Sequence, residues 1–191
     1  MKEIIIASGN KGKIREAQDI LREYNIVSIK DMGLDIEVEE DGKTFEENAI
    51  KKAETIAKEL NGIFCIADDS GIEIEYLDGF PGVRTKRWHD GTDRERNLAI
   101  IEKLEGVSKE KRKIKFITAI AVSDGKNTIC EKGVIEGYVS ENPRGDNGFG
   151  FDEIFELENG KTLAEISDEE KNKISARKIA LEKIRNRLER L

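Results

Sequence analysis

Residues 3–24, EIIIASGNKGKIREAQDILREY, decide the fold class. Glu3–Ala7 is a short apolar run that reads as a buried strand, and Ser8-Gly9-Asn10 ends it. After Gly12 the apolar residues Ile14, Ala17, Leu21 and Tyr24 recur at helical spacing, so a helix follows the turn at once. Asn25–Ser28 supplies a second strand. Thr44 is a good N-cap with Glu47 three residues on, and Phe45, Ala49, Ala53, Ile56, Ala57 and Leu60 define a second helix. Ile63–Ala67 reads as another buried strand, Ile72–Tyr76 as a separate half-exposed one, and Asp93–Leu104 as a helix. Two β-rich runs, Ile114–Val122 and Asn127–Tyr138, meet at the hairpin signal Ser123-Asp124-Gly125-Lys126. From Asp168 onward one long helical stretch carries Leu181, Ile184, Leu188 and Leu191 on a stripe. Elements that alternate early and run to strands later predict an α/β or α+β fold with a mixed, twisted sheet, of which α/β is the expectation carried forward.

The chain has 191 residues, with 33 Lys+Arg against 40 Asp+Glu and a net charge of −7. That balance speaks against a general nucleic-acid binder, which needs a basic surface to displace counterions. It leaves room for one small phosphorylated ligand held by a few lysines. A chain of this length buries roughly 70% of its unfolded surface, enough for one core or two intimate lobes. The apolar run at the start is too short for a signal peptide or membrane span, so a cytoplasmic protein with no membrane partner is expected. Cys65 and Cys130 read as free thiols. The lone His89 cannot build a multi-histidine metal site, so any metal is expected to be oxygen-ligated Mg²⁺ or Mn²⁺.

Five constellations have the residue types for chemistry. Ser8-Gly9-Asn10-Lys11-Gly12-Lys13 is a strand-to-helix turn with two lysines, suited to a phosphate and also to an ordinary glycine turn. It is not a Walker A loop, because Gly9 and Gly12 are too close and Ile14 replaces the Mg²⁺-binding Ser/Thr. Ala67-Asp68-Asp69-Ser70-Gly71 puts two acids at the end of an apolar strand, where open α/β sheets place ligands. Glu39-Glu40-Asp41-Gly42, followed by Thr44 to Asn48 and Lys51-Lys52, reads as a metal-ligating cluster or as a solvated cap. In the run Pro143–Asp152, which ends Gly148-Phe149-Gly150-Phe151-Asp152, glycines between aromatics let a backbone approach a flat ligand while a ring stacks on it. Lys171, Ser175 and Arg177 gather donors near a helix start.

In this order the segments ASGNKGKIRE, EEDGKTFEENAIKKA, IADDSGIEIEYLDGFPGVRTKRW, PRGDNGFGFDEIF and KTLAEISDEEKNKISAR resemble the inosine triphosphate pyrophosphatase (Ham1-like) family. The resemblance runs from residue 7 to residue 177. It implies Mg²⁺-dependent hydrolysis of inosine, deoxyinosine or xanthosine triphosphate to the monophosphate and pyrophosphate. It also implies an elongated fold of two lobes, residues 1–191 as one domain, with a central cleft, and a homodimer. Carried onto this chain, Ser8 through Lys13 (Ser8, Gly9, Asn10, Lys11, Gly12, Lys13) hold the triphosphate. Asp69 ligates the metal and is the base that activates water; Glu40 is a further ligand and Asp68 assists. Ser70 contacts the nucleotide and Lys52 neutralises phosphate charge. Phe149, Gly150, Phe151 and Asp152 form the base pocket, and Lys171 and Arg177 give donors to the purine edge. Ala176 stands where the family frequently has His, which removes one base contact. A Maf-type pyrophosphatase acting on other modified nucleotides, and a nucleotide-binding module without catalysis, are the alternatives. The module reading gives no reason for carboxylates beside a polyanion without a bridging metal.

Overall fold

The protein, described by a computed structural model over residues 2–34 and 36–188, is a mixed α/β fold. Its elements are β1 (Lys2–Ile6), α1 (Lys11–Ile20), β2 (Tyr24–Ser28), α2 (Phe45–Glu59), β3 (Cys65–Ile74), β4 (Phe80–Pro81), α3 (Asp93–Lys103), β5 (Lys113–Ser123), β6 (Thr128–Val139), β7 (Phe155–Glu156), α4 (Asp168–Ile174) and α5 (Ala176–Leu188). The strands lie in the order β2-β1-β3-β5-β6-β7, with β4 paired to β3. β1 runs parallel to β2 and β3, whereas β3–β4 and β6–β7 are antiparallel, so the sheet is mixed as the sequence led us to expect. None of the described helices is long and apolar enough to cross a membrane.

The chain forms two compact units. The first comprises Met1–Ser70, Thr118–Gly133 and Ala176–Leu191. Its largest core joins Ile4 and Ile6 of β1, Ala17 and Leu21 at α1, Ile66, Ile120 and Val122 of the central strands, and Leu181, Ile184 and Leu188 of α5. A smaller core groups Ile5, Cys65, Ile29, Ile56 and Ala57. β1 is buried on both faces because Ile4 and Ile6 point into one cluster and Ile5 into the other. The second unit, Gly71–Ile117 and Val134–Ser175, has its own core around Ile72, Ile74, Ile100, Leu104, Ile154 and Phe155.

Four expectations change in detail. β1 is set one residue earlier than Glu3–Ala7. Helix α1 ends at Ile20 and Tyr24 opens β2, its ring still packing on the first core. The helical spacing of Tyr24 is thus a coincidence of the same core receiving helix and strand. Ile63–Ala67 and Ile72–Tyr76 are not two strands: β3 passes unbroken through Asp68-Asp69-Ser70-Gly71. The polar centre persists in a strand because each polar side chain there has a partner, described below. The stretch from Asp168 is two helices, separated at Ser175, which has extended backbone angles (φ −65°, ψ 143°). Leu181, Ile184 and Leu188 are buried, and Leu191 lies outside the described residues.

Candidate active site

In the first unit the turn after β1 is closed by its own side chains. Ser8 Oγ accepts from the Asn10 N–H at 3.1 Å, and Asn10 Oδ1 accepts from the Gly12 and Lys13 N–H groups at 2.9 and 3.3 Å. Asn10 is therefore the N-cap of α1 and takes two of the four donors a helix start leaves free. The Ser28 hydroxyl donates to Ser8 O at 2.8 Å and pins the turn to β2. Lys30 lies across Gly9: a Cβ at Gly9 would stand 2.4 Å from Lys30 Cδ and 3.1 Å from its ammonium. Lys30 was not legible in the sequence, where it follows the second strand without any motif around it. Lys11 is exposed beside this turn.

The two adjacent acids of β3 face different surroundings. Asp68 takes the Lys13 ammonium at 2.8 Å and the Arg177 guanidinium at 3.3 Å. Arg177 also reaches Glu16 at 3.1 Å, and its buried Nε has no hydrogen-bond partner. Burial works against the Asp68 carboxylate, yet the charges of Lys13 and Arg177 outweigh it and hold its pKa well below the usual range. Asp69 makes no ion pair among the described residues. Burial and the nearby negative charge of Glu40 push its pKa up, partly countered by a hydrogen bond from Asn48 at 2.8 Å, by the nearby charge of Lys52 and by the Ser70 N–H at 3.0 Å. Lys52 forms an ion pair with Glu40, and its ammonium lies 3.4 Å from Asp68 O. Ser70 is bound within the protein, its hydroxyl meeting Asp68 Oδ2 at 3.3 Å and Thr118 Oγ1 at 3.1 Å. Ala176 is buried at the start of α5, its carbonyl against Gly133.

This donor set suits a hard divalent cation. Glu40 and Asp69 repel one another electrostatically, and a bound cation relieves that repulsion. Among the described residues no three His, Cys, Asp or Glu side chains converge as a complete metal cage. Mg²⁺ is commonly held by one or two carboxylates, with water and substrate phosphate completing the shell. Asp68 is paired with Lys13 and Arg177.

In the second unit the Gly148–Asp152 run separates its two rings. Phe149 is 62% exposed, whereas Phe151 is buried in the core and is not available for stacking. Asp152, itself buried, accepts the Phe149 N–H at 2.8 Å and forms an ion pair with Lys171. The Lys171 ammonium sits 4.6 Å from the Phe149 ring centroid, a cation–π contact. Gly148 has φ +83°, and a Cβ there would stand 2.1 Å from Asp152 Oδ2, so only glycine lets the carboxylate cap this turn. Asp93 and Asn97 of α3 hold the Gly150 N–H and carbonyl at 2.8 and 2.9 Å. Lys171 and Arg177, six positions apart, thus belong to different units. Both Arg177 Nη groups are already engaged, so donation to a purine requires those pairs to open. His89 packs its ring on Trp88 at 5.1 Å and has no acidic or serine partner for triad chemistry among the hydrogen bonds of the described residues.

Comparison with known proteins agrees with these features. Residues 4–187 match the family model described as the Ham1 family. A dITP/XTP pyrophosphatase of Bacillus licheniformis is 47% identical over 190 residues, covering 96% of each chain. Its counterpart in Bacillus subtilis is 46% identical over 195 residues, covering 99% of this chain and 98% of that one. Two solved structures have the same fold at 38% identity. The Staphylococcus aureus Ham1 protein has a TM-score of 0.90 over 98% of both chains. A HAM1 protein from Coxiella burnetii has a TM-score of 0.91 over the full length of both. By sequence over nearly its whole length, and by fold, the chain belongs to the Ham1 family.

Proposed function

We propose that this protein hydrolyses non-canonical purine nucleoside triphosphates (inosine, deoxyinosine and xanthosine triphosphate) to the monophosphate and pyrophosphate, with Mg²⁺ as cofactor and Mn²⁺ as a substitute. The observation that carries the reading is the division between the two adjacent acids. Asp68 is neutralised by Lys13 and Arg177, while Asp69 is left with a hydrogen-bonded carboxylate and an acidic neighbour. One acid organises cations for phosphate, and the other is free to take a proton.

In this reading a water oxygen attacks the α-phosphorus, the bond from that phosphorus to the bridging oxygen of the β-phosphate breaks, and pyrophosphate leaves. Asp69 accepts the proton of the attacking water, a contribution of roughly 10²–10⁴-fold for a positioned base. A divalent cation held by Glu40 and Asp69 supplies charge neutralisation on the phosphate oxygens when bound. Lys13, Lys52, Lys11 and Lys30 spread the charge of the leaving group, as lysines do in other phosphoryl transfers. For the Asn10 turn to donate Gly12 and Lys13 N–H groups to phosphate, the Asn10 amide must give them up. Phe149 stacks on the base, and Lys171, steered by Asp152, donates to its 6-oxo group. The 6-amino group of adenine presents donors where the Lys171 ammonium also donates, a mismatch that disfavours adenine.

We further propose that it acts in the cytoplasm, as a homodimer, on free nucleotides and not on nucleic acid. The test is a panel of triphosphates incubated with pure protein and Mg²⁺, followed for pyrophosphate release. Deoxyinosine and xanthosine triphosphates should turn over well ahead of ATP and of methylated pyrimidine triphosphates. Release of orthophosphate in place of pyrophosphate refutes the reaction.

A further inference from the structure

The loop bearing Glu40 and the strand bearing Asp69 are distant in sequence, and two side chains touch both segments: Lys52, through Glu40 and Asp68 O, and Asn48, which bonds to Asp69 itself. Asn48, in the first turns of α2, is 1% exposed. Its Oδ1 accepts the Gly42 N–H at 2.8 Å, and its Nδ2 donates to Asp69 Oδ2 at 2.8 Å. The two bonds agree on the orientation of the amide. A backbone N–H can only donate, so it must face the oxygen, and the NH₂ is left for the carboxylate. Gly42 is what permits the approach: a Cβ there would stand 2.6 Å from Asn48 Oδ1 and 2.9 Å from Glu47 Cβ. The helix start that carries Asn48 is itself fixed, because Thr44 Oγ1 caps the Glu47 N–H at 3.1 Å.

We propose that Asn48 is a positioning residue for the hydrolysis: its amide clasps the Glu40-Asp41-Gly42 loop to the Asp69 carboxylate and so sets the spacing of the two acidic groups that hold the cation. The inference rests on the function proposed above. Asn48 does not meet the reacting atoms; it acts through Asp69 and through the loop. Each of its polar ends has a partner, so the clasp is a buried hydrogen-bonded link, which favours one arrangement over many. Removing the amide leaves Asp69 Oδ2 without that donor and the Gly42 N–H unpaired. Partners that orient metal-binding side chains are worth about 10–100-fold in metal affinity or activity.

The test compares wild type, Asn48→Ala, Gly42→Ala and the double variant. Three quantities are read: kcat and KM for deoxyinosine triphosphate, the Mg²⁺ concentration for half-maximal rate, and hydrogen exchange at the Gly42 amide. Asn48→Ala should lower kcat and raise the Mg²⁺ requirement, by about 10–100-fold taken together. KM for the nucleotide should stay within about 3-fold, because ground-state nucleotide binding is not what the clasp provides. Gly42→Ala, in a loop outside the core, should shift the same two quantities by pushing the amide away. The double variant should be no worse than Asn48→Ala, since both changes break one link. The Gly42 amide should be protected in wild type and exchange faster in Asn48→Ala. An unprotected Gly42 amide in wild type overturns the clasp, as do losses that multiply in the double variant or an Asn48→Ala enzyme with wild-type kcat and Mg²⁺ requirement. If wild type releases no pyrophosphate the reaction itself is wrong, and the exchange measurement still decides whether the clasp exists.

Discussion

Gly133→Ala is a substitution whose sign is set by one close approach. Gly133 lies in β6, buried, and its φ is not in the left-handed region, so alanine is conformationally acceptable there. On chain entropy alone the change would stabilise by about 0.4–1 kcal/mol. A Cβ at this position, however, would stand 1.9 Å from Ala176 O and 2.9 Å from both Ala176 C and Ala180 N. All three are backbone atoms of α5, so no rotamer relieves the clash. An ordinary carbon–oxygen contact is about 3.3 Å or more, so the start of α5 must move by roughly 1.4 Å from its 1.9 Å position. Overpacking of this kind costs about 1–3 kcal/mol, with the upper part of that range expected when only backbone can yield. The net destabilisation is about 2 kcal/mol, or a fall in Tm of about 4–8 °C for a chain of this size. Thermal unfolding followed by circular dichroism measures it. The displaced segment carries Arg177, whose contacts to Glu16 and Asp68 at 3.1 and 3.3 Å would not survive such a shift, so turnover should fall as well. A Tm within about 1 °C of wild type would refute the reasoning, because it would mean that β6 and α5 are not in backbone contact at this point.

Other substitutions separate the roles of neighbouring groups. Asp69→Asn should lower kcat by about 10²–10⁴-fold with little change in the Tm of the metal-free protein, because Asp69 makes no ion pair within the protein and its partners are hydrogen-bond donors. Asp68→Asn should do the reverse in stability, costing about 1.5–3 kcal/mol by removing the carboxylate charge that Lys13 and Arg177 share in a largely buried site; urea unfolding of the two variants distinguishes them. Glu156 has its pKa lowered: burial opposes the shift, but Lys109 and Arg144 outweigh it. Its stabilising contribution is therefore complete above the ordinary Glu value of about 4.3 and is lost as pH falls below it, so Glu156→Gln should flatten the loss of stability below about pH 5. Burial pushes the Cys65 thiol up to about 12 and is the main cause that pushes the Cys130 thiol up to about 11. Cys65, which is buried, should not react with a thiol reagent at neutral pH until denaturant unfolds the protein, whereas the half-buried Cys130 should label slowly in the native state; rapid labelling of native Cys65 would contradict its burial.

Much of the architecture is legible in local pattern. The apolar run at Ile4–Ile6, the turn at Ser8–Asn10 and the capped start of α2 at Thr44 all form where nearest-neighbour physics puts them. So does the hairpin turn, where the Asp124 N–H bonds to Asn127 O at 3.2 Å. The misreadings have a common origin in partners that are remote in the chain. Asp68-Asp69-Ser70-Gly71 has the composition of a turn, but Lys13, Arg177, Asn48 and Thr118 satisfy its polar groups and β3 runs straight through. Nothing in Lys-Ile-Ser-Ala-Arg breaks a helix, yet α4 and α5 are separate. Ala176, Ala180 and Leu181 of α5 are buried in the first unit, and α4 belongs to the second.

The sequence by itself determined the class of the fold, the family, and the inventory of acids, lysines and rings, because these depend on periodicity and on motifs spread over nearly the whole chain. What surrounds each of the two adjacent acids was decided only in three dimensions. Asp68 and Asp69 are chemically identical neighbours, and alternation along a strand sends their side chains to opposite sides, one toward two cations and the other toward Glu40 and an amide. The same holds for Phe149 and Phe151, one exposed beneath Lys171 and the other buried in the core. Asn48 and Lys30 belong to the tertiary structure entirely. An asparagine in a helix and a lysine after a strand carry no signal until folding brings Gly42, Asp69 and Gly9 within reach of them.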